Sequence, residues 1–323
     1  MDGILNVLKP PGMTSFDVVA HLRGLLGIRK IGHAGTLDPA AAGVLPICLG
    51  RATRAIEYMS SSSKTYRAEM LLGVNTDTQD TTGIVTSSAK AVFPEGKIIE
   101  AVAGFKGKYM QVPPMYSAVK SGGVRLYKLA RQGVTVERSP REVEIFSINV
   151  LCVKHGQDAG MYFKAASGGR ESGSFGVLPK GALFTAVMFD VTCSSGTYVR
   201  TLCEDIGKRL GCGGCMSFLL RLRSGIFEIG SALTIEEIRE LSENSRLEEM
   251  IAGIGGIFEG LKKVILDGRD LKRLLNGAYI TPVPGDSEAG RLVGIYDGIG
   301  NFAAVGEFVN KAGNTYLKLK KSF

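Results

Sequence analysis

The sequence lacks an apolar run long enough to cross a membrane. A membrane helix needs roughly 20 consecutive apolar residues, and no segment of the 323 residues approaches that length. The first apolar stretch is interrupted at Lys9, Pro10 and Pro11, which excludes the continuous hydrophobic region of a signal peptide. We therefore expect a cytoplasmic protein whose six cysteines are reduced thiols.

The sequence also lacks the motifs of the common nucleotide cofactors. It contains no P-loop, and Gly253, Gly255 and Gly256 lack the strand, spacing and acidic partner of a dinucleotide-binding fingerprint. Cys212 and Cys215 have the spacing of half a zinc site, but the chain offers no second pair with that spacing. Both are therefore expected to be buried free thiols, and neither a cofactor nor a metal is expected.

Acidic residues are fewer than basic ones. The chain has 31 of the former and 39 of the latter, a formal net charge of +8, which favours a polyanionic partner such as nucleic acid. The hydrophobic fraction of 45% and the charged fraction of 22% are ordinary for a globular protein. The length is sufficient for one sizeable core and a smaller one.

Basic residues concentrate in one segment that also carries Tyr116 and Tyr127. The six between 120 and 141 are Lys120, Arg125, Lys128, Arg131, Arg138 and Arg141, and the only acid among them is Glu137. Such a segment is either a solvated helix face or a surface that contacts RNA, and the residues alone leave both interpretations open.

Hydrophobic periodicity predicts the main elements. Strands are predicted at residues 4–8, 44–49, 65–72 and 183–193. Thr14 begins a helix that Gly27 ends, a second helix follows the turn at Gly196, and a capping box from Thr234 to Glu237 begins a third. The glycine-rich run 156–181 is interpreted as a surface loop whose role the sequence does not indicate.

Asp38 is the strongest candidate for a reacting group. It lies on the glycine-studded loop 32–46, after a stretch (18–37) that contains basic residues and no acidic ones. Pro39 disfavours a helical backbone at Asp38 and biases it toward an extended, presented conformation. Asp38 is then either a nucleophile or a structural turn residue whose carboxylate caps a backbone amide.

Four blocks, in order along the chain, resemble the TruB family of tRNA pseudouridine synthases. They are residues 32–53, 64–67, 114–118 and 196–201, and the resemblance extends from residue 3 to about residue 233. It implies an α+β (mixed α/β) fold with a large, mainly antiparallel sheet in a catalytic domain over residues 1–233. It also implies a thumb-like insertion at about 114–142, here called the thumb segment. Residues 234–323 are similar to a small β-rich PUA-like RNA-binding domain, unless they are a plain structural appendage.

The activity that the resemblance implies is isomerisation of the uridine at position 55 in the T-loop of tRNA. The reaction breaks the bond between ribose C1′ and uracil N1, rotates the base and joins C1′ to C5. Nothing is oxidised and no group is imported, so the reaction requires no cofactor or metal. The resemblance further implies a monomer that binds the tRNA T-arm without a guide RNA or protein partner.

The same resemblance assigns three catalytic residues. Asp38 would supply an ionised carboxylate that attacks the sugar or base, or abstracts a ribose proton. Arg200 would keep that carboxylate charged and oriented, unless it is a surface or RNA-backbone arginine. Tyr66 would stack on the uracil after the base has been flipped out of its helix, unless it is simply a core aromatic.

Further residues are expected to contact the substrate. His33 would insert into the RNA loop, unless it is a turn residue, while Tyr198 and Leu222 would line the uracil pocket, unless they are packing residues. The remaining expected RNA contacts are Arg54, Tyr116, Lys120, Arg125 and Lys128.

Two other functions remain open at this point. One is a non-catalytic RNA-binding protein or tRNA chaperone. The other is a different RNA uridine-modifying enzyme, such as a methyltransferase, which would require a nucleotide-type cofactor site and a positioned reactive cysteine. We find neither feature in the sequence.

Overall fold

The structure is a computed structural model that describes residues 1–158, 183–281, 288–311 and 314–323. The strands are β1 (Gly3–Lys9), β2 (Ile31–His33), β3 (Ala42–Leu49), β4 (Lys64–Leu72), β5 (Val74–Thr76), β6 (Val85–Ser88), β7 (Gly107–Gln111), β8 (Lys120–Ser121), β9 (Val124–Arg125), β10 (Arg141–Asp158), β11 (Leu183–Cys193), β12 (Gly214–Ser224), β13 (Phe227–Glu228), β14 (Lys262–Ile265), β15 (Leu292–Tyr296), β16 (Phe302–Lys311) and β17 (Asn314–Ser322). The α-helices are α1 (Ser15–Leu26), α2 (Ile56–Ser60), α3 (Glu95–Ala103), α4 (Leu126–Arg131), α5 (Val199–Leu210), α6 (Ile235–Glu243) and α7 (Gly268–Leu275). Short 3-10 helices occupy Gly50–Ala55, Ile229–Ser231, Leu247–Met250 and Ile254–Phe258.

The larger sheet of the described residues has the order β1-β3-β12-β4-β11-β10-β7, with β2 beside β3 and β13 beside β12. Its strand pairs are antiparallel apart from β3 and β12, which run parallel where Ala42 faces Leu220 and Gly43 faces Arg221. The expected mixed α/β fold with a mainly antiparallel sheet is confirmed. The parallel pair brings the end of the Asp38 loop against β12.

Local sequence signals place helices α1 and α6 as predicted. The Thr14 hydroxyl accepts from the Asp17 amide at 3.0 Å and the Asp17 carboxylate accepts from the Thr14 amide at 2.8 Å, a capping box that satisfies two free donors at the start of α1. Gly27 ends the helix in the left-handed conformation, at φ 65°. Thr234 and Glu237 form the same capping box at the start of α6.

The predicted strand 65–72 is confirmed as β4, and its alternation decides which side chains enter the core. Tyr66, Ala68 and Met70 are buried on one face of the strand, as a period of two requires. Leu202 of α5 packs in the same core cluster. Each large apolar side chain buried in this way contributes ~1.5–3 kcal/mol, and the packing holds the start of α5 over β4.

The C-terminal part forms a second sheet in the order β14-β15-β16-β17, so the expected β-rich C-terminal unit is confirmed. Its own core contains Val264, Ile295 and Phe308. The connecting helix α6 packs instead on the first sheet, where Ile238 lies in one apolar cluster with Leu5 of β1 and Leu45 of β3. The division of the chain after residue 233 stays a prediction, because on packing alone the second core begins at Val264.

Two further sequence predictions concern the glycine-rich run and membrane-spanning helices. The glycine-rich run 156–181 lies outside the described residues except for 156–158. Over the part of the chain that the structure describes, no helix has both the length and the apolar character needed to span a bilayer.

Candidate active site

The loop that carries Asp38 is anchored by the residues on either side of it. The Leu37 amide donates to the buried Ser15 hydroxyl at 2.9 Å, and that hydroxyl donates back to the Leu37 carbonyl at 3.2 Å. The Pro39 carbonyl accepts from the Gly12 amide at 2.8 Å. Because both neighbours of Asp38 are tied to other elements, the carboxylate is presented from a fixed backbone.

Arg200 lies in the first turn of α5, whose start is fixed by a buried glutamine. The Gln111 side-chain amide donates to the Tyr198 carbonyl at 3.1 Å and accepts from the Tyr198 amide at 2.8 Å. The second of these bonds satisfies the Tyr198 amide, which the start of the helix would otherwise leave free. It ties the start of α5 to the edge strand β7.

Arg200 lies between two carboxylates. Its Nη2 is 3.5 Å from Asp38 Oδ2 and its Nη1 is 3.8 Å from Asp80 Oδ2. Nη2 also donates to the Tyr116 carbonyl at 2.5 Å, and the guanidinium carbon lies 5.9 Å from the centre of the Tyr198 ring. The side chain is only 6% exposed, so the two carboxylates compensate a cation that is almost removed from water.

Sequence reasoning missed Asp80. Its Oδ1 accepts from the Thr78 hydroxyl at 2.8 Å and from both the amide and the hydroxyl of Thr82, at 2.9 and 2.5 Å. Locally this threonine-rich stretch, which Gly83 ends, has the composition of an ordinary turn. Nothing in that pattern indicates that Asp80 faces Arg200, because the contact is made only when the β5–β6 turn packs beside α5.

Gln79 fastens this turn to the helix. Its backbone is left-handed, with φ 66°, a conformation that costs on the order of 1–3 kcal/mol in a residue other than glycine. Its side-chain oxygen accepts from the Thr201 hydroxyl at 2.7 Å, and its side-chain amide donates to Glu204. The strained residue thus connects the turn of Asp80 to the helix of Arg200.

The groups around Asp38 shift its pKa in opposite directions. Burial of the carboxyl raises its pKa above the ordinary 3.8, Arg200 and Lys9 act to lower it, and Asp80 acts to raise it. The net effect is a raised pKa, although 39% of the side chain is exposed. The carboxylate is therefore accessible on one side and poorly solvated on the other.

Tyr66 lies in the core beneath the Asp38 loop. It is 9% exposed and packs in one cluster with Leu37, the residue before Asp38, and with Leu219 of β12. Burial raises the pKa of its hydroxyl, and the charge of Arg221 acts in the opposite direction. The structure thus brings Tyr66, Asp38 and Arg200 to one region, and their catalytic roles stay predictions.

Three further predicted residues lie around this group. His33, half-buried at the end of β2, has an Nδ1 without a partner among the described residues, and burial lowers the pKa of its ring. Tyr198 is half-buried beside Arg200. Leu222 is half-buried at the bulge where β12 shifts its register against β4.

The predicted RNA contacts divide into two groups. Tyr116 is half-buried and its carbonyl accepts from Arg200; the remaining thumb residues Lys120, Arg125 and Lys128 are exposed on β8, β9 and α4. Arg54 is exposed elsewhere, and its guanidinium donates to the Ser322 carbonyl at 3.2 Å. Arg54 therefore lies where the two sheets meet, and its hydrogen bonds are made to β17.

A buried lysine supports the Asp38 loop from the other side. Lys9 is 0% exposed, and its Nζ donates to the carbonyls of Pro10 at 2.8 Å, Met13 at 2.6 Å and Pro39 at 3.2 Å. Burial lowers the pKa of Lys9 to about 8. Sequence reasoning treated Lys9 only as an interruption of an apolar run, because its partners are carbonyls that leave no side-chain pattern.

Potential metal ligands do not gather in the described part of the chain. No group of three or more histidine, cysteine, aspartate or glutamate residues there could hold a metal ion. All six cysteines are free thiols; Cys152 is half-buried and the other five are buried.

Comparison with known proteins gives two family matches. Residues 23–169 match the profile described as "TruB family pseudouridylate synthase (N terminal domain)", and residues 200–267 match "tRNA pseudouridylate synthase B C-terminal domain". The chain is 45% identical to tRNA pseudouridine synthase B of Alkaliphilus oremlandii over 280 residues, 87% of this chain and 83% of that protein. It is also 45% identical to the protein of the same name from Symbiobacterium thermophilum over 278 residues, 86% of this chain and 82% of the other.

Solved structures show the same fold. The chain is similar to one in the "Crystal Structure of a Cbf5-Nop10-Gar1 Complex", with a TM-score of 0.70, 27% identity, and coverage of 99% of this chain and 84% of that one. It is also similar to a chain in the "Structure of H/ACA RNP bound to a substrate RNA containing 2'-deoxyuridine", with a TM-score of 0.69, 26% identity and the same coverage.

Proposed function

The chain belongs to the TruB family of tRNA pseudouridine synthases, and we propose that it isomerises the uridine at position 55 in the T-loop of tRNA. The observation that carries this proposal is the placement of the Asp38 carboxylate, open to solvent on one side and 3.5 Å from a buried Arg200. That is the arrangement expected of an ionised carboxylate that acts on a nucleotide brought to it from outside.

Asp38 is the catalytic group of this proposal. The reaction breaks the C1′–N1 bond and forms the C1′–C5 bond, with a proton lost from C5 and one gained at N1. The Asp38 carboxylate either attacks the sugar or base covalently or abstracts a ribose proton. Either route requires the ionised form, which burial disfavours.

Arg200 supplies the opposing charge. An arginine near a carboxylate favours the ionised form and lowers its pKa, and Arg200 acts in this direction on Asp38. The guanidinium has a fixed planar geometry and is also held by the Tyr116 carbonyl. We assign it the role of keeping Asp38 charged and aimed at the substrate.

The target uridine must leave its stack to reach Asp38. Tyr66, which lies below the Asp38 loop, is assigned the role of stacking on the flipped uracil, an interaction worth ~1–3 kcal/mol per base. Tyr198 and Leu222 are assigned to the walls of the uracil pocket. His33, beside the loop, is assigned to the position that the base vacates.

The thumb segment is assigned to the RNA backbone. Lys120, Arg125 and Lys128 are exposed, so their charges are free to displace counterions from phosphates. The base of the thumb is tied to the active site through the Tyr116 carbonyl and Arg200, so closure over RNA and the catalytic arginine are physically connected. Arg54 is assigned to RNA contact at the edge of the C-terminal sheet.

We further propose that the enzyme acts in the cytoplasm as a monomer on the T-arm of tRNA, without a guide RNA or partner protein. The thumb segment supports this view because it gives the chain its own basic surface beside the active site. In this proposal residues 1–233 form the catalytic domain and residues 234–323 a PUA-like RNA-binding domain.

Tritium release tests the proposed target. The substrate is an unmodified tRNA transcript labelled at C5 of its uridines, and the control is the same transcript with cytidine at position 55. With purified protein, chelator and no added cofactor, we expect release of one tritium per tRNA from the first transcript and none from the second. Equal release from both would contradict the assignment of position 55, and tight binding of both without release would favour a non-catalytic RNA-binding protein.

A further inference from the structure

Arg221 is an almost completely buried cation outside the catalytic group described above. It is 1% exposed, and it forms no ion pair with a carboxylate among the residues that the structure describes. Its guanidinium donates to three backbone carbonyls, from Nε to Val44 at 2.7 Å, from Nη2 to Gly35 at 2.9 Å and from Nη1 to Thr36 at 3.4 Å, and it also interacts with the Tyr66 hydroxyl. Burying a cation against neutral dipoles is costly, so this position needs a reason beyond packing.

The three carbonyls lie at the two ends of one loop. Gly35 and Thr36 precede Asp38, whereas Val44 follows it at the start of β3. A single guanidinium therefore bridges the beginning and the end of the Asp38 loop, defined here as residues 34–44. Its planar fork presents several donors in fixed directions, which a single ammonium group does not.

The backbone is shaped to permit this bridge. Gly43 faces Arg221 in the parallel pair of β3 and β12, with φ +115°. A Cβ at this glycine would lie 2.3 Å from the Arg221 carbonyl oxygen, so no other residue fits there without movement of the backbone. Because the two strands approach so closely, the Arg221 side chain lies under the loop.

Arg221 also lies directly opposite Tyr66 in the pairing of β12 with β4. Opposite residues of an antiparallel pair place their side chains on the same face of the sheet. Arg221 therefore adjoins both the loop of Asp38 and the aromatic ring beneath it.

We propose that Arg221 is a positioning residue for the reaction: its guanidinium closes the Asp38 loop at both ends and thereby holds the Asp38 carboxylate beside Arg200. This inference rests on the proposed catalytic role of Asp38. Arg221 itself acts through the loop and through no contact with the reacting atoms.

The matched pair of variants is Arg221→Lys and Arg223→Lys. Both keep the positive charge and both lie on β12. Arg223, however, donates to the Thr65 hydroxyl at 3.3 Å and to the Gly225 carbonyl at 3.1 Å, and those groups lie outside the Asp38 loop. Any effect specific to the bridge must appear in the first variant and not in the second.

We expect Arg221→Lys to fold and to bind tRNA with an unchanged Kd. Its single-turnover rate of pseudouridine formation should fall about 100-fold, the order of loss that misplacing a reacting group by about 1 Å causes. Amide hydrogen exchange should accelerate at residues 35–41 and stay unchanged in β4 and α5. Arg223→Lys should match the wild type in every measurement.

The pH profile supplies a readout that a purely structural role would not move. Asp38 faces Arg200 of α5, Asp80 of the β5–β6 turn and Lys9 at the end of β1. The net effect of this site is to raise the pKa of Asp38, and burial is the largest cause. If the loop loosens and water reaches the carboxylate, its pKa should fall back toward the ordinary value. The acid limb of the rate profile should then move to lower pH in Arg221→Lys, although the charge at position 221 is retained.

Wild-type turnover in Arg221→Lys, or a rate loss without a shift of the acid limb, would overturn the inference. A variant that fails to fold or loses tRNA binding would make Arg221 a general structural residue and would overturn it too. Asp38→Asn measured in parallel separates the two proposals. Turnover by that variant would refute the role of Asp38, whereas an inactive Asp38→Asn beside a fully active Arg221→Lys would refute only the role of Arg221.

Discussion

The guanidinium of Arg200 lies 3.5 Å from the carboxylate of Asp38, with the cation buried and the carboxylate 39% exposed. The cation lies on the buried side of the carboxylate, and the other side of the carboxylate is open to solvent. The second carboxylate, Asp80, is 3.8 Å from the same guanidinium. Arg200 therefore interacts with two carboxylates at once, because it compensates the charge of Asp80 and stabilises the charge of Asp38.

Replacement of Arg200 should change the pH dependence of the reaction. In Arg200→Gln the ionised form of Asp38 loses its nearby cation, so the pKa of Asp38 should rise further and the acid limb of kcat should move to higher pH. We expect kcat to fall at least about 100-fold. Arg209→Gln is the control, because Arg209 is exposed at the other end of α5, where it donates to the Gly104 carbonyl and lies over the Phe105 ring. An unshifted acid limb in Arg200→Gln would contradict the account.

Two substitutions of Gln79 distinguish the effect of its backbone conformation from the effect of its side-chain contacts. Gln79→Gly loses the contacts to Thr201 and Glu204 and relieves the left-handed strain, whereas Gln79→Ala loses the same contacts and keeps the strain that Gln79 already carries. We expect about tenfold lower kcat with unchanged tRNA affinity in both variants, and a lower melting temperature in the alanine variant than in the glycine variant. Full activity of Gln79→Gly would show that the side chain does not position Asp80 or Arg200.

The thumb residues should affect binding and its dependence on salt. Alanine at Arg125 or Lys128 should weaken tRNA binding and reduce the slope of log K against log salt by about 1 per residue. Single-turnover rates at saturating enzyme should stay near the wild-type value. Lys97→Ala serves as the control, since Lys97 is an exposed basic residue of α3 that lies over the Phe93 ring. An unchanged slope would remove the tested residue from the RNA contact.

The thiols should be inert in the folded protein. Burial raises the pKa of Cys48 and Cys215 to about 12 and that of Cys193 to about 11, and the thiolate is the reactive form. A disulfide reagent at pH 8 should modify at most Cys152, the half-buried thiol, and all six after unfolding. Rapid modification of several thiols in the native protein would contradict the packing described for them.

Much of the fold could be predicted from local signals. The alternation of apolar and polar residues predicted strand β4. The capping boxes at Thr14 and Thr234 predicted the starts of α1 and α6. These signals are local because the residues that make each element are neighbours in sequence. The limits of these three elements follow from them with little dependence on tertiary contacts, whereas β10 and β12 of the same sheet were not predicted.

The candidate site was less predictable where its contacts join distant segments. Asp80 lies in a stretch with ordinary turn composition, and only the packing of that turn against α5 brings it to Arg200. On β12 the family resemblance pointed to Leu222, but no sequence signal indicated that a bulge between Arg221 and Arg223 sets Arg221 opposite Tyr66. A one-residue bulge changes which residues of two strands are paired, and single-sequence periodicity does not register it.

The most direct test of the central claim is tritium release from C5-labelled tRNA by Asp38→Asn, measured beside the wild type and together with tRNA binding. The substitution keeps the shape of the side chain and removes its charge. The account predicts normal tRNA affinity and no release above background. Release at a substantial fraction of the wild-type rate would contradict the assignment of Asp38 as the catalytic group.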